Sequence, residues 1–448
     1  MLTALLFVFV NCAGYLLAIL RGPFWALLVY AHIYFNSPDP HINWWGELLP
    51  FQQWSYLTTA VLLASMFLHK NSLSDRPIRT VHLVIYFLGL TALLSLGSEF
   101  KPVSMGFLTL MVSYTVICFG LVKIMTERWQ LRVLWLWLII LSAKLSLNAY
   151  LYGKRIHGRL ENIGGADSVS SNLFGLLLVG VIPLMVPFLL SGKRYERIIC
   201  LLCAPFILNA LVLCNSRGAF VALAGGFFVA FIFLAERQLR KTMMAMAALG
   251  IVAFLYLADQ EMMERLASLT QATQAINDDQ QANTLSSGRL EIWGYGLQMV
   301  ADHPFGAGPG GFKQLAKDYM PPEILKVHAD GETGVRGAHS SYLLVLVEQG
   351  PLGLLLWLSI CLGTWFNIHR GYRALRGREG ADPFLILAVF SLGSSFVSTL
   401  LGGLFTSRVY YEFFWWQVAM AVVVAFFARE EVASLQEKQG ERSGAAHP

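Results

Sequence analysis

The stretch NLFGLLLVGVIPLMVPFLLS, which runs from Asn172 to Ser191, contains no charged residue. An α-helix needs about 20 mostly apolar residues to cross the hydrocarbon core of a bilayer. Within lipid, only helices and closed barrels satisfy every backbone hydrogen-bonding group. The stretch therefore predicts a membrane-spanning helix.

Similar apolar runs recur along the chain, which is 56% hydrophobic and 14% charged, against about 25% charged in a soluble domain. The first two runs are separated only by Arg21-Gly22-Pro23, so we expect about twelve true spans in an all-α polytopic membrane protein. The first run also lacks a basic segment and a cleavage site, which favours a retained span over a cleaved signal. The thirteen runs lie near 2–20, 23–36, 53–68, 80–97, 104–122, 133–151, 172–191, 198–214, 218–235, 242–258, 341–366, 384–404 and 409–428.

Basic residues cluster in alternate connections between the runs, and the positive-inside rule assigns such connections to the cytoplasm. This orientation places the polar tail, 429–448, inside and one large loop, 259–340, outside. The predicted organisation is spans over 1–258, the outer loop over 259–340, further spans over 341–428 and the tail. The clusters are Lys70/Arg76/Arg79, Lys123/Arg128/Arg132, Lys193/Arg194/Arg197, Arg237/Arg240/Lys241 and Arg370/Arg373/Arg376/Arg378.

The large loop is acidic overall. It carries eleven Asp and Glu against six Lys and Arg, which gives a net charge of −5 with His neutral. Nucleic-acid binding requires a basic face, so we expect no nucleic-acid partner. A site for a single phosphate group needs only a few local arginines.

Several cations lie in connections that are predicted to be outside, against the topogenic rule. One interpretation is tolerated surface charge, and the other is an anionic ligand that these cations hold together. Their number on one side favours the ligand. They are Lys154, Arg155, His157, Arg159, Arg217 and Arg408.

Three short motifs carry the candidate chemistry. Arg217, in Asn215-Ser216-Arg217-Gly218-Ala219, could extend to lipid phosphate, or its guanidinium could bind diphosphate oxygens in bidentate fashion. Arg289 and Trp293 are four residues apart and share a helix face, which fits a cation–π pair and also an oriented phosphate ligand. His339 precedes a helix N-terminus, where positive potential favours neutral imidazole, a competent general base.

Other patterns in the sequence do not indicate cofactor sites. Gly306, Gly308 and Gly311 form a formal GxGxxG without a βαβ unit around it, so we expect a tight turn that packs on the membrane domain. Glu348 is out of phase with His339 and is expected to buttress the span near Gly350. Cys200 and Cys203 read as small apolar residues of a span, and no spacing typical of a metal site occurs.

The order of these motifs resembles the O-antigen ligase family, over roughly residues 150–430. The resemblance rests on Ser216-Arg217-Gly218-Ala219, Gly288-Arg289-Leu290-Glu291-Ile292-Trp293, His303-Pro304-Phe305-Gly306-Ala307-Gly308, His339-Ser340-Ser341-Tyr342-Leu343 and Glu348-Gln349-Gly350-Pro351-Leu352-Gly353. It implies a GT-C-like membrane glycosyltransferase architecture in the bacterial inner membrane, with the active site facing the periplasm.

The resemblance also implies a reaction. Polysaccharide on undecaprenyl diphosphate would be transferred with inversion, and without a metal or other cofactor, to a sugar hydroxyl of lipid A-core. Arg217, Arg289 and His339 match the catalytic positions of the family. We add Arg155, Arg159, Asn172, Trp293 and Arg336 as expected substrate-binding residues, and membrane lipids as surroundings.

Two alternatives stay open from the sequence. O-antigen polymerases and protein O-oligosaccharyltransferases share the donor and differ only in the acceptor. A transporter of lipid-linked polysaccharide is the alternative of another class, although transporters commonly contain internal repeats and polar residues near the bilayer midplane. Lys144 is the clearest mid-span charge here.

Overall fold

The protein is almost entirely helical in the computed structural model, which describes residues 2–76, 79–156, 159–161, 163–236, 240–257, 287–322, 324–325 and 337–444. The helices are α1 Leu2–Arg21, α2 Phe24–Phe35, α3 Trp54–Leu68, α4 Arg79–Gly97, α5 Lys101–Ile124, α6 Arg128–Tyr152, α7 Ser171–Val181, α8 Val186–Ser191, α9 Arg194–Leu213, α10 Arg217–Leu234, α11 Arg240–Leu257, α12 Ser287–Asp302, α13 Gly311–Tyr319, α14 Ser341–Leu375, α15 Pro383–Gly402 and α16 Glu412–Gly444. Two short strands, β1 Lys154–Ile156 and β2 Arg159–Glu161, pair antiparallel.

Nine helical segments of the described chain are long and apolar enough to cross a membrane. They are α1, α4, α5, α6, the α7–α8 pair, α9, α10, α14 and α15, and α2 and α3 are shorter apolar helices. The polytopic helical class is thus confirmed, while the count of about twelve stays a prediction. The quoted run 172–191 is not one regular helix, because Pro183 and Pro187 divide it by a 3₁₀ turn over Ile182–Met185.

The core of the bundle is built around α15, in which 78% of the span is buried. Its inner face is rich in serine, and α10 approaches it closely. A Cβ added at Gly226 of α10 would lie 1.9 Å from the Ser398 hydroxyl and 2.6 Å from the Ser394 carbonyl oxygen. Since small residues let helix backbones meet closely in membranes, glycine and serine fix the contact between these two helices.

The two ends of the bundle differ in their charges. At one end, Arg132 forms an ion pair with Glu196 at 2.5 Å, and Arg128 forms one with Glu431 at 2.5 Å. Arg76 donates to the carbonyl of Met125 at the same end. Arg76, whose guanidinium lies over the Phe426 ring, and Arg128 therefore both contact the C-terminal helix α16.

The opposite end carries the glycine turn, which docks on a break in α14. Gly350 adopts φ +70° there, and Pro351 has no backbone N–H, so two carbonyls of α14 lose their helical partners. The N–H of Ala307 donates to the Val347 carbonyl and the N–H of Gly308 to the Glu348 carbonyl, both at 2.9 Å. The predicted packing of this turn on the membrane helices is confirmed.

The side chain of Glu348 stabilises the same junction. Its carboxylate accepts from the N–H of Phe312 at 3.3 Å and from the Tyr410 hydroxyl at 2.8 Å. The acid is 1% exposed, and a buried carboxyl group is costly unless it is hydrogen-bonded. The expected buttress near Gly350 is therefore present, and it ties the start of α13 and the segment before α16 to α14.

Alanine at Gly308 should loosen this junction. Gly308 has φ +87°, and an added Cβ would lie 2.6 Å from the Ser98 hydroxyl. A strained backbone of this kind costs about 1–3 kcal/mol, so Gly308→Ala should lower the thermal midpoint of the detergent-solubilised protein. Gly294→Ala is the matched control, since Gly294 lies exposed in α12 with open space around it. The Gly294→Ala variant should be neutral or stabilised by about 0.5–1 kcal/mol. Equal thermal midpoints for the two variants would contradict a role for Gly308 in holding the junction.

Candidate functional site

Arg217 is placed by a sharp turn between α9 and α10. Asn215 adopts a left-handed conformation with φ 47° and is buried, a backbone that asparagine tolerates better than most residues. Ser216 follows as the residue before α10, and Arg217 is the first residue of that helix. The turn thus delivers the guanidinium of Arg217 to the end of the bundle where the glycine turn docks.

Asn172 joins Ser216, the residue before Arg217, to Arg159. Its side-chain Oδ1 accepts from the Ser216 hydroxyl at 2.9 Å and from Nη2 of Arg159 at 2.5 Å. Arg159 belongs to β2, and Asn172 lies in the first turn of α7. One amide oxygen therefore orients Arg159 and the residue next to Arg217 together.

Arg289 comes to the same place from α12. The pKa of its guanidinium is lowered, first by partial removal from water and then by the positive charges of Arg217 and Arg159. Arg289 is thus close enough to Arg217 and Arg159 for their positive charges to act on it. An arrangement of like charges is unfavourable by itself, and an anion held between them would relieve it.

Aromatic residues fix the position of α12. The guanidinium of Arg289 lies 5.9 Å from the ring centroid of Phe405. The sequence suggested a cation–π pair with Trp293, but the aromatic partner is Phe405. Trp293 instead donates from its indole N–H to the Ala338 carbonyl at 3.1 Å. Trp293 therefore anchors the segment that carries His339.

His339 has a left-handed backbone with φ 48°. It lies between Ala338, which Trp293 holds, and Ser340, which caps α14 by accepting from the N–H of Leu343 at 3.4 Å. The N–H of Ser341 donates to the carbonyl of Gly403 at 2.7 Å. The imidazole thus stands at the positive end of a long helix, as the sequence predicts.

A cavity of about 420 Å³ lies beside these groups. Asn172 and His339 both line it, and Asn172 accepts a hydrogen bond from Arg159. Its wall also contains both signs of charge, from Asp167 and Glu348 to Lys313, together with the rings of Phe107, Tyr410 and Tyr411.

Asp167 was not among the residues predicted from the sequence. Its Oδ2 accepts from the Tyr34 hydroxyl at 3.0 Å and from the N–H of Glu412 at 2.9 Å. Removal from water raises the pKa of this carboxyl to about 6, although its hydrogen bonds and Arg408 favour the charged form. The only sequence signal is a carboxylate after the small residues Gly164-Gly165-Ala166.

Arg408 stands out in the sequence as a cation in a connection predicted to lie outside, but its position near Asp167 was not anticipated. It is 4% exposed, and its Nη2 donates to the Leu173 carbonyl at 2.6 Å. Its backbone N–H donates to the Ser341 hydroxyl at 2.8 Å. Burial lowers the pKa of its guanidinium, and the residue links the starts of α7 and α14.

The remaining predicted residues fall into two groups. Arg155 lies on β1, where its side chain is exposed and its backbone faces Leu160; no contact among the described residues brings it to Asn172 or Arg289. Arg336 and His157 lie outside the described residues.

Patterns that did not indicate cofactors have ordinary structural roles. In the part of the chain that the structure describes, no group of three or more His, Cys, Asp or Glu side chains could hold a metal ion. Cys200 is a buried free thiol of α9, and Cys203 is half-buried in the same helix.

Comparison with known proteins identifies the segment that carries most of this site. Residues 201–358 match the family model described as O-antigen ligase. This segment is therefore similar to that family. The resemblance predicted from the motifs is confirmed, and Arg217, Arg289 and His339 all lie within the match. No curated protein matches the chain.

The O-antigen ligase family consists of membrane glycosyltransferase-like enzymes, with ligase- or polymerase-type activity on lipid-linked polysaccharide. Asp167, Asn172 and Arg159 precede the matched residues and Arg408 follows them. The site is therefore completed by parts of the chain on both sides of the ligase segment.

Proposed function

We propose that this protein transfers a polysaccharide from undecaprenyl diphosphate to a sugar hydroxyl of lipid A-core, with inversion and without a metal ion. The observation that carries the proposal is the convergence of Arg159, Arg217 and Arg289 beside a cavity that His339 lines. A diphosphate is the leaving group that such a cluster fits, because guanidinium groups bind phosphate oxygens in bidentate fashion.

The arginines would act on the charge that develops during transfer. As the bond between the anomeric carbon and the diphosphate oxygen breaks, its electron pair stays on the diphosphate. Arg217 and Arg289 would stabilise this charge in the manner of preorganised donors. Arg159 is held by Asn172 at 2.5 Å, so it would supply a third positive charge without moving.

His339 would act on the acceptor hydroxyl group. An acceptor hydroxyl oxygen attacks the anomeric carbon opposite the leaving diphosphate, and its proton passes to the neutral imidazole. The N-terminus of α14 favours the neutral form before transfer. The proton is then released to water, which restores the base.

The distribution of basic residues along the helix bundle supports a location for the site. Predicted cytoplasmic clusters such as Arg76, Arg128 and Arg132 gather at one end of the helices, while Arg289 and His339 lie at the other. By the positive-inside rule the site would face the periplasm from the inner membrane. The polyprenyl tail would lie between spans, among membrane lipids.

The acceptor distinguishes this ligase function from related transferases that use the same donor. A polymerase would extend the growing chain, and a protein O-oligosaccharyltransferase would modify a protein. Deletion of the gene distinguishes them in the cell. Unattached long lipid-linked chains would support ligation, single unpolymerised units a polymerase, and unmodified protein acceptors a protein transferase.

Removal of divalent metal should leave the reaction intact. Arginines take the place of a metal at the diphosphate in this proposal, so transfer by the purified protein in lipid nanodiscs should proceed at an unchanged rate in EDTA. The measurement is the amount of glycosylated lipid A-core formed from a defined undecaprenyl-diphosphate donor. Loss of product in EDTA and its recovery with Mg²⁺ would contradict the metal-independent mechanism.

A further inference from the structure

Groups of different chemistry line the cavity beside the arginine cluster. Asn172 lines it and accepts a hydrogen bond from Arg159. The carboxyl group of Asp167, which lies near Arg408, and the rings of Tyr410 and Tyr411 line it as well. A diphosphate would be attracted to the arginines and not to the carboxylate.

The carboxyl group of Asp167 is held in a fixed orientation. Tyr34 from α2 and the backbone of Glu412 from α16 both donate to Oδ2. Among the described residues, these are the hydrogen bonds to the carboxylate, so Oδ1 keeps its capacity to accept. The residue is partly exposed and lines the cavity, and a carboxylate fixed in this way is preorganised to receive a hydroxyl group.

The aromatic wall completes a site for a sugar. Phe107 and Tyr410 pack with ring centroids 4.5 Å apart, and the Tyr410 hydroxyl is engaged by Glu348. These rings are therefore rigid, apolar surfaces beside a hydrogen-bond acceptor. Binding pockets for small ligands commonly combine such surfaces with a few placed polar groups.

We propose that Asp167, Tyr410 and Tyr411 form the acceptor subsite of the cavity, in which Asp167 accepts a hydrogen bond from a hydroxyl of the acceptor sugar. The bound hydroxyl neighbours the one that reacts, so Asp167 positions the acceptor while His339 receives the proton. The inference rests on the proposed function and adds the place and polarity of the second substrate. The diphosphate then lies beside the arginines near Asn172, and the hydroxyl-bearing sugar lies beside Asp167.

Acceptor binding without donor tests the subsite independently of turnover. Lipid A-core is titrated into the full-length protein in nanodiscs, with no donor present. A hydrogen bond to a charged group contributes about 1.5–3 kcal/mol, so Asp167→Asn should raise the Kd for lipid A-core by about tenfold to a hundredfold. In turnover assays the same variant should raise the acceptor KM and leave the donor KM unchanged.

A variant of Tyr34 distinguishes direct contact between Asp167 and the acceptor from structural support of Asp167. Tyr34→Phe removes one hydrogen bond to Asp167 but keeps its carboxylate, so it should raise the acceptor Kd far less than Asp167→Asn does. If Asp167→Asn fails to fold, Asp167→Glu keeps the charge but displaces it, and should also weaken acceptor binding alone. An unchanged acceptor Kd, equal effects of the Tyr34 and Asp167 variants, or a parallel rise in both KM values would overturn the subsite. Acceptor binding without any transfer would instead refute the proposed function.

Discussion

Replacement of Arg289 by alanine should lower the rate of glycosyl transfer by about 10²–10³-fold, the loss seen when one preorganised donor to a developing negative charge is removed. Arg289 is the member of the cluster whose pKa is lowered by both Arg217 and Arg159, so it lies where their fields overlap. Arg289 is exposed on α12, so the alanine variant should remain folded. The measurement is product formation in nanodiscs, with the thermal midpoint as a check of folding.

Two further variants sharpen the result for Arg289. Arg378→Ala removes an exposed arginine beyond the far end of α14 and should leave the rate unchanged. Arg289→Lys keeps a positive charge but loses the planar bidentate fork, so its rate should fall between those of wild type and Arg289→Ala. Full activity of Arg289→Ala would remove this residue from the mechanism.

Replacement of His339 by asparagine should lower the transfer rate by about 10²–10⁴-fold, the usual contribution of a positioned general base. Asparagine tolerates the left-handed backbone at φ 48°, so the variant removes the imidazole while sparing the turn. Trp293 and Ser340 should continue to hold the segment through Ala338 and the cap of α14. The measurement is the rate at saturating donor and acceptor.

A glycine at the same position provides the control for backbone strain. His339→Gly adopts positive φ without cost, so it should be as inactive as His339→Asn with a similar thermal midpoint. If both variants retained the wild-type rate, His339 would have no part in proton transfer. If only one were inactive, the loss would be due to the turn and not to the missing base.

Apolar runs predicted the helices well, because length and lack of charge decide insertion in a bilayer. The run 53–68 becomes α3, Trp54–Leu68, and the run 80–97 becomes α4, Arg79–Gly97. The quoted run 172–191 was less well predicted. Its composition indicates a span, but the effect of Pro183 and Pro187 is local and divides it into α7 and α8.

The site was predicted where the residue type itself was unexpected. Arg217 and Arg159 stood out as cations in connections predicted to lie outside, and the structure brings Arg159 and Ser216, the neighbour of Arg217, to Asn172. Asp167 gave no such signal, because its contact with Glu412 joins residues 245 positions apart. Arg408 was visible as a charge, yet its bond to Leu173 spans 235 positions. Contacts between distant segments depend on how the helices pack, which a single sequence does not state.

The fate of the donor tests the central claim most directly. Purified protein in proteoliposomes is supplied with an undecaprenyl-diphosphate-linked polysaccharide and lipid A-core, and both lipid products are measured. A glycosyltransferase should release undecaprenyl diphosphate in equal amount to the glycosylated acceptor, and the Arg289→Ala variant should form neither product. Donor that crosses the bilayer with its glycan still attached, and without release of undecaprenyl diphosphate, would identify a transporter and exclude the proposed transfer.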